Sequence, residues 1–93
     1  MERKKLSPEE IEGRLAELDG WRAVDGKLLK SFKFPDFAAS LAFVNKAGAI
    51  AERRDHHPDI TFGWGYADFI ITTHSEGGIT DKDFALAAEI DGS

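Results

Sequence analysis

PDFAASLAFVNKAGAIAERRDHHP, residues 35–58, is the stretch on which the reading of the fold turns. Pro35 stops what precedes it, and Asp36 has the short acceptor side chain of a helix N-cap. At the far end Asp55-His56-His57-Pro58 breaks the pattern, because a residue before proline is pushed away from helical angles. A long helix, capped by Asp36 and running to about Arg54, is predicted between them. It carries two apolar stripes: Phe37, Leu41, Val44, Gly48 and Ala51 on one side, and Ala39, Phe43, Ala47 and Ile50 roughly opposite. A surface helix of a small protein needs one apolar face. Two such faces point either to a helix buried on both sides or to one that meets another subunit. With 93 residues to bury it, the subunit contact is the expected reading.

Outward from this helix the signals change to period two. Upstream, Trp21 to Val24, Asp25-Gly26 and Lys27 to Phe34 predict a hairpin, since Asp-Gly is favoured in a type I′ turn. Leu28, Lys30, Phe32 and Phe34 share one side of its second strand, with Leu29, Ser31 and Lys33 on the other. Before it, Leu6 to Leu18 predicts a helix with Ser7 as N-cap, Pro8 at the first turn and Glu10 completing a capping box. Downstream, Ile60 to Trp64 and Tyr66 to His74 predict a second strand pair around Gly63 and Gly65. Ala67, Phe69, Ile71 and Thr73 would face one way. A loop at Glu76-Gly77-Gly78 and a last helix from Thr80 to Ile90 follow. The order is α-β-β-α-β-β-α in a single domain over 1–93. Hairpin-like pairs imply antiparallel strands, so the class is α+β.

Composition narrows the function. With no cysteine, disulfides, thiolate zinc sites and cysteine nucleophiles are excluded. A formal charge of −5 and a pI near 5.1 argue against direct nucleic-acid binding. No stretch reaches the roughly 20 apolar residues of a membrane span. The start, Met1-Glu2-Arg3-Lys4-Lys5, lacks the apolar run of a signal peptide, so a cytoplasmic protein is expected.

The chain's three histidines, His56, His57 and His74, all fall at expected element ends, where sites are usually placed. Imidazole, with a reference pKa of roughly 6.5, both gives and takes protons near neutral pH. Each histidine could instead simply cap an element or lie on the surface. Zinc is the rival ligand, but no His-x-His or HExxH spacing is present, and adjacent side chains such as His56 and His57 diverge. No metal site is expected. Thr80-Asp81-Lys82-Asp83 reads as a capping box in which Asp83 reaches back to the helix start. The same carboxylate could orient an imidazole, and both roles can coexist. Glu52 either belongs to a solvated helix end with Arg53 and Arg54 or accepts a hydrogen bond from an imidazole or a substrate amine. Trp21 and Trp64 read as core residues. The glycines form no phosphate cradle, and no Ser/His/Asp arrangement is specific enough to propose.

Glu52, His56-His57-Pro58, Trp64, His74 and Asp83, in this order and spacing, resemble the signature of the pterin-4a-carbinolamine dehydratase family. Leu6-Ser7, Gly20-Trp21, Phe32-Lys33-Phe34, Phe37, Thr73-His74 and Gly78-Ile79-Thr80 extend the resemblance over essentially the whole chain. It departs at Trp64, where tyrosine is usual, and at Gly65-Tyr66, where polar or basic residues are more typical. The resemblance implies a four-stranded antiparallel sheet with three helices on one face. It implies a homodimer or homotetramer with the helix at about 36–54 in the subunit contact. It also implies dehydration of 4a-hydroxytetrahydrobiopterin to the quinonoid dihydropterin, within pterin recycling, with no cofactor. His56 and His74 would be the general acid and base, with His57 binding and orienting the pterin. Asp83 would support an imidazole, and Glu52 would assist at the substrate. Pro58, Thr73, Ser75 and Glu76 would line the pterin site. The alternative it leaves is a non-catalytic module: some animal members stabilise dimers of a homeodomain transcription factor through the long helix.

Overall fold

The computed structural model describes residues 5–93, so the charged start at 1–4 lies outside the described residues. Helix α1 (Pro8–Leu15), strands β1 (Arg22–Val24) and β2 (Lys27–Lys33), helix α2 (Phe37–Arg54), strands β3 (Asp59–Gly63) and β4 (Tyr66–Ile71), and helix α3 (Asp81–Asp91) follow in the expected order. The four strands form one antiparallel sheet in the order β1-β2-β4-β3, with the helices on one face. Among the described residues no helix is long and apolar enough to cross a membrane.

Register explains which residues form the core. Leu28 pairs with Ile71, Lys30 with Phe69 and Phe32 with Ala67. Across the other edge Ile60 pairs with Phe69 and Phe62 with Ala67. Alternation then puts these side chains on the helix-facing side together, where Leu28, Ala67, Phe69 and Ile71 are wholly buried. Each large apolar side chain so buried contributes about 1.5–3 kcal/mol. Lys30 sits on this apolar side because its ammonium has partners: the Asp19 carbonyl at 2.6 Å and Asp91 at 2.9 Å, with the Phe32 ring 4.6 Å away. Asp91 also accepts from the Trp21 indole at 3.0 Å, so the end of α3 is tied to the start of the sheet.

Helix α2 presents the Phe43, Ala47 and Ile50 stripe to the sheet; the Phe43 ring meets Phe32 at 4.7 Å and Phe69 at 5.9 Å. Of the other stripe, Ala51 is buried, but Phe37 and Leu41 are exposed, and Phe37 stacks on Phe62 at 5.8 Å. Ser40, also buried, accepts from the Gly65 amide at 3.1 Å and so ties α2 to the β3–β4 turn. The first turn falls at Asp25 and Gly26, whose φ values of 52° and 76° suit the expected type I′ geometry.

Three expectations are corrected. The first helix ends at Leu15 rather than Leu18, because Glu17 and Leu18 bond to Arg14 and Leu15, three residues back, in a closing turn. Strand β4 ends at Ile71 rather than His74. Thr73 instead pairs both ways with Gly78, which folds His74–Glu76 into a 3₁₀ turn closed by Gly77 at φ 71°. A Cβ at Gly78 would lie 2.5 Å from the Lys5 side chain, which would have to swing aside. Trp64 is not core. It occupies the tip of the β3–β4 hairpin and is 71% exposed, whereas Trp21 is buried as expected.

Candidate active site

The end of α2 separates the adjacent histidines. Asp55 takes the left-handed conformation (φ 52°, ψ 44°), which aspartate tolerates, and the His56 amide bonds back to the Ala51 carbonyl at 3.1 Å. After that reversal the His56 ring turns inward and is nearly buried, while His57 points outward. The helix therefore stops at Asp55, ahead of Pro58.

Each of the two imidazoles has its own carboxylate. His56 Nε2 lies 2.6 Å from Asp83 Oδ1 in a buried setting. His57 Nε2 lies 2.5 Å from Glu52 Oε2, and both of those side chains are exposed. Asp83 is wholly buried at the first turn of α3, and its second oxygen accepts from the Thr80 amide and the Thr73 hydroxyl, each at 2.8 Å. The capping box expected at Thr80 is present in full. Cap and imidazole partner are thus the two oxygens of one carboxylate. Two donors fill Oδ2, and a carboxylate, which only accepts, takes the third bond from His56 Nε2–H at Oδ1. With Nε2–H committed to Asp83, the neutral His56 ring has Nδ1 as its free acceptor.

His56 and His57 meet His74 around one open cleft of about 310 Å³, whose walls are completed by Asp55, Thr72, Thr73, Ser75 and Lys82. The 3₁₀ turn is what carries His74 and Ser75 to this rim. Asp83 lies behind His56, and Glu52 joins through His57. Pro58 and Glu76 are not among the walls. Thr73 directs its hydroxyl at Asp83, and its backbone is taken up by the pairing with Gly78.

Sequence reasoning missed Asp55, Thr72 and Lys82. Lys82 was locatable, since the capping box fixes its place between Thr80 and Asp83 on the first turn of α3. A second cleft, of about 270 Å³, shares His56 and Lys82 with the first and is bounded by Arg54, Asp81 and Ala85. Two of its charges are matched elsewhere: Arg54 by Glu89 at 2.5 Å and Asp81 by Arg14 at 2.6 Å. Among the described residues no three of the His, Asp and Glu side chains converge as a metal would require.

The family model described as “Pterin 4 alpha carbinolamine dehydratase” matches residues 4–93. Relatives from Mycobacterium sp. (strain KMS) and Sulfolobus acidocaldarius are 45% and 46% identical to this chain. Each match spans 92% of it, and 92% and 94% of the respective relative. Both carry the name “Putative pterin-4-alpha-carbinolamine dehydratase”. A crystal structure from Brucella melitensis, described as a transcriptional coactivator/pterin dehydratase, superposes with a TM-score of 0.92 at 35% identity, covering 96% of this chain and 97% of that one. Another solved structure, described as that of a pterin dehydratase-like protein identified as a RuBisCO assembly factor in the α-carboxysome, gives 0.67 at 29% identity, covering 78% of this chain and 87% of that one.

Proposed function

The chain belongs to the pterin 4-alpha-carbinolamine dehydratase family, and on that premise we propose that it catalyses the dehydration of 4a-hydroxytetrahydrobiopterin to the quinonoid dihydropterin. The observation that carries this reading is the convergence of His56, His57 and His74 on one cleft large enough for a bicyclic ring.

The reaction breaks the C4a–O bond as the N5 lone pair forms a C=N bond. The departing hydroxyl takes up a proton and leaves as water, and N5 gives a proton up, so the balance is even. His56 and His74 serve as the acid and the base, and each positioned group is worth about 10²–10⁴-fold. Asp83 holds the His56 ring by Nε2–H so that Nδ1 is presented to the substrate. His57, steadied by Glu52, orients the pterin, and Thr73 and Ser75 bound the ring. The protein works in the cytoplasm on a small molecule, and a second copy of the chain covers the Phe37–Leu41 side of α2.

Loss of the 4a-hydroxypterin absorbance, followed with chelator-treated protein, tests the reading. Rapid dehydration by wild type should fall by at least about 100-fold in His56→Ala and in His74→Ala, with circular dichroism unchanged. Full activity in either folded variant would remove that histidine from the mechanism. A folded wild type that gave no acceleration would leave the non-catalytic alternative, in line with the coactivator named for the Brucella relative.

A further inference from the structure

We propose that Lys82 reads the side chain at C6 of the bound pterin, and that the site prefers a chain ending in a phosphate monoester to the neutral chain of biopterin. This rests on the reading that the histidine cleft takes a pterin. The substrate cleft and the second cleft, of about 310 and 270 Å³, share two walls, His56 and Lys82. A ring worked on by His56 at C4a or N5 therefore has the second cleft beside that same edge. Two substituents flank the edge. The oxygen on C4 is a single atom, whereas the group on C6 is a chain that can leave one cleft and enter the next. The opposite end of the ring, with its N3–H and 2-amino donors, suits the Asp55 carboxylate, which lines the substrate cleft and not the second one.

Charge decides what that chain should carry. Among the described residues the Lys82 ammonium pairs with no carboxylate. Around the rest of the second cleft Asp81 is matched by Arg14, but Glu89 serves both Arg53 and Arg54, so one cation of that cluster is uncompensated. Two unmatched positive charges thus flank one end of the site, in a chain whose formal charge is −5. A phosphate monoester brings about −1.5 to −2 at neutral pH, and lysine binds phosphate as a point charge. A neutral hydroxylated chain would leave both cations to water.

Isothermal titration calorimetry at low ionic strength tests this with 7,8-dihydroneopterin and its 3′-phosphate, which differ only in the phosphate. Neither carries a 4a-hydroxyl, so binding is read apart from catalysis. The wild type should bind the phosphate about tenfold more tightly, and the neutral probe should displace it. In Lys82→Met the preference should fall below about twofold, and in Lys82→Arg it should persist. The α3 cap uses only the backbone amide of Lys82, so both variants keep that bond to Thr80. Equal affinities in the wild type, or a preference that survives Lys82→Met, would overturn the proposal. So would a Lys82→Met variant that loses affinity for both probes equally, since Lys82 would then hold the ring and not its tail. A wild type that binds neither probe would overturn the pterin reading itself; binding of both without preference overturns only the role given to Lys82.

Discussion

Asp83 meets two demands with two oxygens: one closes the first turn of α3, the other faces His56. Asparagine separates them. In Asp83→Asn the amide oxygen can still accept from Thr80 and Thr73, but the NH₂ group then meets His56 Nε2 and selects the opposite ring tautomer. Dehydration should drop by about 10²–10⁴-fold, with little loss of melting temperature. Asp83→Ala instead strands buried donors, at about 1–3 kcal/mol each. A variant Asp83→Asn with wild-type turnover would show that the tautomer is immaterial. Much of this was legible in the sequence, because a capping box is a local pattern with a fixed offset. The pairing of Glu52 with His57 was not. It depends on the left-handed turn at Asp55, and aspartate adopts that conformation only sometimes.

Among the elements, those bounded by strong punctuation were readable: Pro35-Asp36 before α2, Asp25-Gly26 between β1 and β2, Thr80 before α3. Errors gathered where a long-range contact overrides the local pattern. The alternation through Tyr66 to Thr73 is genuine, and Thr73 does face inward, yet its backbone pairs with Gly78 instead of a neighbouring strand. That pairing makes the turn on which His74 sits. Ser40 escaped notice because a serine within a helix carries no periodic signal. Its hydroxyl is the acceptor for the Gly65 amide in the facing turn. Ser40→Ala should destabilise the protein by about 1 kcal/mol, seen in thermal melts as roughly 4–8 °C for a domain of this size. An unchanged melting temperature would mean that water replaces the serine.

For the whole molecule, the uncovered side of α2 sets the main expectation. Phe37 and Leu41 are both more than a third exposed, Phe37 at the β3 edge where it stacks on Phe62. If a second copy covers them, Leu41→Glu should convert the wild-type dimer or tetramer to monomer in sedimentation velocity, while circular dichroism stays the same. A monomeric wild type, or a variant whose assembly is unaffected, would rule out that contact. Two apolar stripes on one helix were legible in the sequence; which of them meets the sheet was not, since both satisfy helical spacing. The same global view separates the two indoles. Trp21 is enclosed and bonded to Asp91, while Trp64 stands in solvent at a hairpin tip. One chain thus carries two emitters in unlike surroundings. Dissolved iodide reaches Trp64 and is screened from Trp21, so the quenchable part of the fluorescence tracks whatever settles on the hairpin. The unquenched part reports whether the end of α3 is still latched to the sheet.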